Sequence, residues 1–383
     1  MDSDTAARLL RVSRATLYAY ASRGLIQTEP DPINPRRRLY RAADIQRLRT
    51  IKERGRSPRA IAAAALDWGT GTLPSRVTLL AAGRLSYRGQ NAVQLAGHAS
   101  LEDVARLLWA CEEADPFAKP PPDGVGARRF RGAPPIDRCR ALLSLAPSSP
   151  LALAAREPAA LAIEAGGLLR IVAAALLGVP PSIRPIHKQL AARWRLNRNR
   201  ADLLRAVLVL LADHELNAST FAVRVVASTG APLAACISAG LAALSGPRHG
   251  GATGLVEGLL DEAERTGDPG SVIASRGGRP APGFGHPLYP DGDPRAEFIL
   301  DRLPANPIRT GLIEAVAAVT DQKPNVDFAL ASLSRAYALP PQSSLVMFAA
   351  ARTAGWIAHA FEQRADARLI RPRAVYVGVP PLG

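Results

Sequence analysis

Apolar residues recur at helical spacing through most of the chain. In residues 101–111 and 201–212 they stand at positions i, i+3 and i+4, the pattern of an amphipathic helix. Residues 161–177 are almost uniformly Ala and Leu, which predicts a helix buried nearly all round. Glycine and proline punctuate these segments, and no convincing run of alternating strands appears. The pattern therefore predicts an all-α domain over the greater part of the chain.

The first 60 residues have a different pattern, with short helices joined by tight turns. Residues 4–10 read as a helix, and Ser13 is a good N-cap for a second helix that ends near Gly24. Residues 25–39 contain three prolines and then three arginines, which predicts a hairpin-like wing before a further helix at 42–52. This order is typical of a winged helix-turn-helix. The candidate DNA contacts are Arg14, Thr16, Tyr18, Tyr20, Arg36, Arg37 and Arg38.

Chain length and this change of pattern predict more than one domain, since 383 residues exceed the usual size of one. We expect a winged helix-turn-helix domain at 1–56 and a connecting helix or linker at 57–71. The helical domain then occupies 72–383.

The net charge of +15 is concentrated at the N-terminus. Residues 1–60 hold 14 Arg and Lys against 6 Asp and Glu, an excess of +8. Such a basic patch is typical of a DNA-binding surface. The alternatives are a proteome that uses Arg as its default surface cation, or a small module that contacts proteins.

The cysteines and the apolar stretches indicate the cellular compartment in which the protein is expected. Cys111, Cys139 and Cys236 are widely spaced and odd in number, which favours a reduced cytosol over a disulfide framework or a zinc site. The N-terminus lacks the apolar core of a signal peptide. Charges interrupt the longest apolar stretch, so we expect no membrane span. The sequence thus predicts a cytoplasmic protein that does not bind membranes.

Candidate chemistry is concentrated in short polar motifs after residue 210. His214 opens a polar run before a predicted helix, and His249 and His286 stand among glycines that let a ligand approach the backbone. A position at a helix N-terminus would favour a neutral His249. Arg295 follows a helix-start signal, and Asp327, at another predicted helix start, is a candidate general base. Each alone is more often structural, but together they predict proton transfer beside a bound polycarboxylate. No spacing suggests a metal site or a phosphate-binding loop.

These motifs resemble the citrate synthase family. The resemblance is carried by DHELNASTFAVRVVAST (213–229), GPRHGGA (246–252), GFGHPLYPDGDPRA (283–296), NVDFAL (325–330), ARTAGWIAHAFEQ (351–363) and RPRAVYVG (371–378), with GRLSYRG (83–89) near the start. It covers roughly residues 72–383. Residues 1–56 are similar to the MerR and excisionase type of winged helix-turn-helix.

The resemblance implies an all-α, two-domain fold that works as a homodimer. Its large domain would comprise residues 72–248 and 346–383, and a smaller mobile domain, about 249–345, would close over the substrates. The implied substrates are oxaloacetate and an acyl-CoA, acetyl-CoA or propionyl-CoA, with no metal or other cofactor.

The resemblance also implies roles for individual residues. Asp327 would remove a proton from the acyl-CoA, His249 would donate a hydrogen bond to the enol oxygen, and His286 would polarise the oxaloacetate carbonyl. Residues implied to hold oxaloacetate are His214, Arg295, Arg352 and, from the partner subunit, Arg371, the arginines through bidentate contacts.

Some positions depart from the family pattern. Arg248 replaces an apolar residue, and Pro287 and Pro290 stand where many relatives carry basic residues, some of which touch CoA. The expected activity is therefore an acyltransferase of the citrate synthase type. Two alternatives stay open: a citryl-CoA lyase using the same residues, and a DNA-binding regulator that uses the synthase fold as a metabolite sensor.

Overall fold

The structure, a computed structural model, forms two compact units. It describes residues 1–10, 12–22, 26–31, 38–42, 44–46, 48, 72–121, 130, 132–146, 156–372, 374 and 378–379. One unit comprises Met1–Pro74 with Pro372–Gly383, and the other comprises Ser75–Arg371.

The first unit contains the helix-turn-helix. Helix α1 spans Ser3–Leu10 and α2 spans Arg14–Ser22, with the Ser13 hydroxyl accepting the backbone N–H of Thr16 as the predicted cap does. Strands β1 (Thr28–Pro30) and β2 (Arg38–Tyr40) pair antiparallel and form the predicted wing. The predicted helix at 42–52 lies mostly outside the described residues, and the connecting helix or linker expected at 57–71 lies wholly outside them.

The candidate DNA contacts differ in exposure. Arg14 and Tyr18 are exposed on α2, although Arg14 also pairs with Asp4. Thr16 is half-buried and shares a hydrogen bond with Ser13. Tyr20 packs against the small core instead of facing solvent, because its position on α2 faces α1 and the wing. Arg38 is exposed on β2, whereas Arg36 and Arg37 lie outside the described residues.

The second unit begins with a small antiparallel sheet, a feature that the hydrophobic pattern did not indicate. Strands β3 (Thr78–Ala81), β4 (Arg84–Tyr87) and β5 (Gln90–Asn91) pair in that order. Leu85 and Tyr87 alternate into the core, but four-residue strands give too short a period-two signal to recognise.

Helices make up the rest of this unit, which confirms the all-α prediction. They are α3 (Ala92–Ala96), α4 (Leu101–Trp109), α5 (Pro135–Ser144), α6 (Pro158–Leu177), α7 (Ile186–Arg193), α8 (Arg198–Leu211), α9 (Ala218–Ser228), α10 (Leu233–Leu244), α11 (Ala252–Thr266), α12 (Pro269–Ala274), α13 (Pro294–Leu300), α14 (Pro307–Val319), α15 (Val326–Ala336) and α16 (Ser343–Asp366).

Helix α6 is the Ala- and Leu-rich segment. It is long and apolar enough to cross a membrane by length and composition, but 83% of its most apolar window is buried inside the protein. A core helix of a soluble protein passes the same test, so this helix is only weak evidence for a membrane. Its burial instead matches the prediction of a helix enclosed on nearly all sides.

Two apolar cores organise this unit. The larger joins α3 to α10 with α16, and the smaller is built from α11, α12, α14 and part of α15. Helix α15 contributes to both, since Leu330 faces the larger core and Phe328 faces the smaller one. The start of α15 thus lies where the two cores meet.

Candidate active site

Helix α16 packs directly against the end of α8 and brings Arg352 beside His214. The Arg352 Nε donates to the Leu211 carbonyl at 2.9 Å, and the Gly355 N–H donates to the Ala212 carbonyl at 3.0 Å. Gly355 has no room for a side chain, because a Cβ there would lie 2.2 Å from Asp213 Oδ1. This close approach fixes both residues in one buried region.

Asp213 anchors this junction from inside. It accepts hydrogen bonds from Thr78 at 2.5 Å and faces His359 Nε2 at 3.4 Å. Burial acts to raise the pKa of Asp213, but His359 and Arg352 outweigh it, so the pKa is lowered and the carboxylate stays charged. A fixed negative charge therefore lies close enough to Arg352 to favour its charged form.

Three rings form a cluster at the centre of the site. His214 and His286 are 5.3 Å apart between ring centroids and nearly perpendicular. Tyr289 joins them, with its hydroxyl 3.0 Å from His214 Nε2 and its ring 5.1 Å from that of His286. His286 Nδ1 accepts the backbone N–H of Leu288 at 3.1 Å. In the neutral ring the proton of His286 is therefore on Nε2, which becomes a donor.

Backbone bonds hold the loop of His286 against the start of α15. The Asn325 N–H donates to the Gly283 carbonyl at 2.8 Å, and its side chain donates to the Gly285 carbonyl at 3.0 Å. Gly283 has φ +83°, and a Cβ there would meet Phe328 at 2.9 Å. This left-handed, crowded position requires glycine. The same contacts place Asp327, in the first turn of α15, beside the histidine loop.

Arg295 is positioned by Asp293, the N-cap of α13. Arg295 donates from Nε at 2.9 Å and from Nη2 at 2.8 Å to the two oxygens of Asp293, and both residues are buried. Asp293 Oδ2 also accepts the Val326 N–H at 3.0 Å, which ties α13 to α15. Asp293 thus takes up Nε–H and one Nη2–H of the Arg295 guanidinium, the side chain that the sequence analysis assigned to oxaloacetate. Three of the five N–H groups of Arg295 remain for a ligand.

His249 lies two residues before the cap of α11 and contacts α9 and α16. Its Nε2 is 2.8 Å from Ser219 Oγ, and its ring meets Phe348 edge-on at 6.1 Å. Ser219 also accepts the Trp356 indole N–H at 3.2 Å and lies 2.7 Å from Asn217 Oδ1. The single hydroxyl proton of Ser219 therefore has two acceptors, Asn217 and His249.

The three histidines are held neutral by their surroundings. Burial lowers the pKa of His249 to about 4, with Arg352 adding to the effect. Burial and then Arg295 lower the pKa of His286 to about 4. Burial, Arg295 and Arg352 hold the pKa of His214 well below its usual range. The sequence predicted a neutral His249 from its position near a helix N-terminus, and burial and Arg352 favour the same neutral form.

Asp327 has the opposite perturbation. Its side chain keeps only a small exposed face, and burial raises its pKa to about 6, against the lowering effect of Arg295 and Arg352. A carboxyl group with a pKa just below neutral is ionised at pH 7.5 but is a much stronger base than an ordinary aspartate.

Arg352 carries an unsatisfied buried donor. Its Nη2 has no hydrogen-bond partner in the described part of the protein, although the residue is only 1% exposed. Burial also lowers its pKa to about 10, so it remains charged at neutral pH. A buried guanidinium with a free N–H is a ready partner for a carboxylate.

Arg371 and the departures from the family pattern are outside this cluster. Arg371 is exposed, and its side chain has no hydrogen bond or ion pair with the described residues. Arg248, Pro287 and Pro290 are also exposed. The described residues contain no group of three His, Cys, Asp or Glu side chains arranged to hold a metal ion.

Comparison with known proteins identifies the family. The model of the citrate synthase C-terminal domain matches residues 136–373, more than half of the chain. The chain belongs to the citrate synthase family. The model of the MerR helix-turn-helix family of regulatory proteins matches residues 1–63. Both resemblances seen in the sequence are thereby confirmed.

Two relatives show how far the sequence similarity extends. A Mycobacterium tuberculosis (strain ATCC 25618 / H37Rv) protein named "Putative citrate synthase 2" is 40% identical over 194 residues, which is 47% of this chain and 52% of that protein. The 2-methylcitrate synthase of Shewanella oneidensis is 37% identical over 186 residues, 45% of this chain and 50% of the relative. The matches span only about half the length of these relatives.

Solved structures of citrate synthases share the fold. The enzyme from Thermotoga maritima MSB8 has a TM-score of 0.67 and 26% identity, and 82% of this chain covers 96% of it. Citrate synthase from Thermoplasma acidophilum, solved as a ternary complex with carboxymethyl coenzyme A and oxaloacetate, has a TM-score of 0.65, 26% identity and the same coverage.

Sequence reasoning missed several residues of the site. Ser219 lay within the polar run after His214, but nothing in the sequence indicated its contact with His249, 30 positions away. Asp293 was noted only as a helix start, although it holds Arg295 and the start of α15. Tyr289 was not singled out, and its bond to His214 depends on how the loop folds back.

Proposed function

We propose that this protein condenses an acyl-CoA with oxaloacetate and releases CoA, as a synthase of citrate or 2-methylcitrate. The observation that carries the proposal is a combination of groups in one region. Asp327 has a pKa of about 6, His249 and His286 are neutral, and the buried Arg352 has a free N–H. A base, two neutral donors and a carboxylate-binding cation are what this chemistry requires.

Asp327 begins the reaction as the base. Its carboxylate removes a proton from the carbon next to the thioester, and His249 donates a hydrogen bond to the carbonyl oxygen on which negative charge develops. That role requires the proton of His249 to be on Nδ1. The arrangement exists when Ser219 donates its hydroxyl proton to Nε2 instead of to Asn217.

His286 activates the other substrate. Its Nε2–H donates to the ketone oxygen of oxaloacetate, which makes the carbonyl carbon more electrophilic. The new carbon–carbon bond forms between this carbon and the enol carbon, and the resulting alkoxide takes a proton from His286. Hydrolysis of the thioester then releases CoA and the tricarboxylate. The attacking water returns a proton to His286, and Asp327 gives the proton that it took from the acyl-CoA to the departing thiolate of CoA. The same groups would serve cleavage of citryl-CoA in reverse.

Oxaloacetate is held by the arginines and His214 in this proposal. Arg352 offers its free Nη2, and Arg295 offers the N–H groups that Asp293 leaves unused. We expect residues 249–345, which contain the smaller core, to close over the substrates as a mobile domain and the remainder of 72–383 to form the large domain. No metal or other cofactor enters any step.

Release of free thiol from acetyl-CoA and propionyl-CoA in the presence of oxaloacetate tests the function. Mass spectrometry of the product distinguishes citrate from 2-methylcitrate. We expect Asp327→Ala to lose the activity and Asp321→Ala, which removes an exposed carboxylate nearby, to keep it. Thiol release that does not depend on oxaloacetate would indicate a thioesterase and contradict the proposal.

Arg371 is proposed to act in the active site of the partner subunit of a homodimer. Its exposure within its own subunit supports this role. If Arg371→Ala and Asp327→Ala are each inactive, co-expression of the two variants should restore about a quarter of wild-type activity. About half of the dimers would then be mixed, and each mixed two-fold dimer would have one complete site out of two. No restoration would place Arg371 in its own subunit's site or outside both.

DNA binding by residues 1–56 is a second candidate function. Arg14 and Tyr18 are exposed on α2, the second helix of a helix-turn-helix, and this part of the chain is strongly basic. The synthase fold would then serve a cytoplasmic transcription regulator as a metabolite sensor, with or without catalysis. The residues 57–71 would connect the two parts.

A duplex-binding measurement at several salt concentrations tests this function. The slope of log K against log salt should be about −0.9 for each phosphate contacted. Arg14→Gln should reduce that slope by about 1, whereas Arg265→Gln, an exposed charge on α11, should leave it unchanged. Equal weak binding to every duplex would count against a regulator.

A further inference from the structure

A polar cavity of about 440 Å³ lies at the far ends of the helices that carry the candidate active site. It is lined by Arg200 and Arg205 on α8, Arg302 and Phe298 at the end of α13, and Tyr337 after α15. We call it the basic pocket. Its volume is within the range of small-molecule sites.

Two of the arginines are held with donors to spare. The Arg200 guanidinium lies 4.8 Å from the Tyr337 ring centroid and has no hydrogen bond or ion pair among the described residues. The Arg302 guanidinium lies 3.5 Å from the Phe298 ring centroid and uses only Nη1, on the Phe298 carbonyl at 2.8 Å. Contact with a ring face restrains each guanidinium and leaves most of its N–H groups open.

Arg205 and the N-terminal end of α8 add positive charge to the basic pocket. The Arg205 guanidinium donates hydrogen bonds to Asp202 at 2.7 Å and to the carbonyls of Ala96 and Ala99. These bonds hold its positive charge in place at the side of the pocket. Asp202 is the one carboxylate among the lining residues, against three arginines. Asn199, in the first turn of α8, also lines the pocket, where the positive end of the helix favours an anion.

We propose that the basic pocket binds a small phosphate-bearing anion and that its occupancy is coupled to oxaloacetate binding. The coupling follows from the direction of the helices. Helix α8 starts at the pocket and ends at Leu211, two residues before Asp213, whereas α13 and α15 start at Pro294 and Val326 and end at the pocket. An anion that joins Arg200 to Arg302 would fix α8 relative to α13.

The binding half of the proposal does not depend on catalysis, whereas the coupling rests on the proposed function. Calorimetric titration of pyrophosphate into the full chain, with saturating oxaloacetate present, tests the site. We expect Arg200→Gln and Arg302→Gln each to weaken binding at least tenfold, and Arg265→Gln to change it less than twofold. Unchanged binding in both pocket variants, or equal binding of malonate, would overturn the assignment.

The coupling is tested by the dissociation constant of oxaloacetate with and without pyrophosphate. We expect at least a fivefold change, of the size usual for coupled sites, and its loss in Arg302→Gln. An unchanged constant overturns the coupling. If oxaloacetate itself does not bind, the proposed function fails, while pyrophosphate binding and its loss in the pocket variants still decide the site.

Discussion

Replacing Asp327 by asparagine should lower turnover strongly and stabilise the protein. Burial raises the pKa of this carboxyl from its ordinary 3.8 to about 6. At roughly 1.36 kcal/mol per pH unit, the charged form costs about 3 kcal/mol of stability. The folded pKa lies above the unfolded one, so this cost is absent below pH 3.8 and complete above pH 6.

The pH dependence separates this effect from a general change in packing. Asp327→Asn should raise the free energy of unfolding by about 3 kcal/mol at pH 8 and by about half of that at pH 5, where the carboxyl is mostly protonated in the fold. Urea denaturation at the two pH values measures both. Asp321→Asn, which changes an exposed carboxylate, should stay within about 0.5 kcal/mol.

The same variant should lose about 10²- to 10⁴-fold in turnover, the usual contribution of a general base. A variant that is less stable than wild type at pH 8, or equally stabilised at both pH values, would refute the assignment of a carboxylate whose charged form destabilises the fold. Retained turnover would refute its role as the base.

Three further predictions follow from the packing of the site. Ser219→Ala should lower kcat about 10- to 100-fold with little change in KM for oxaloacetate. The substitution removes the hydrogen bond that decides which ring nitrogen of His249 carries the proton. An effect on KM alone would contradict this. Tyr289→Phe should raise that KM about fivefold in the thiol assay, and an unchanged KM would show its hydroxyl to be dispensable. Gly355→Ala should destabilise the protein by more than about 4 kcal/mol in urea denaturation, whereas Gly254→Ala, with open space around it, should stabilise by up to about 1 kcal/mol; similar effects of the two would contradict the close packing.

The sequence predicted the helices well because helix patterns and helix caps depend on local signals. Helix α6 follows from its Ala and Leu content, and the caps Ser13 and Asp293 follow from residue type and spacing. The functional assignments of His249 and Asp327 came from the resemblance and remain predictions.

The missed features depend on long-range packing. Asp293 accepts hydrogen bonds from the Arg295 guanidinium and also from the Val326 N–H, 33 positions away, and residue spacing does not indicate a carboxylate that serves two helices. Tyr20 has the residue type of a DNA contact, but its place on α2 faces the core. Such outcomes depend on which face of an element is covered.

The measurement that tests the central proposal most directly is the pH profile of oxaloacetate-dependent thiol release by the wild-type protein. The account predicts that kcat/KM with acetyl-CoA or propionyl-CoA rises with pH through an apparent pKa near 6, since Asp327 must be ionised, and levels off above it. Folded protein that releases no thiol from either acyl-CoA at any pH would contradict it.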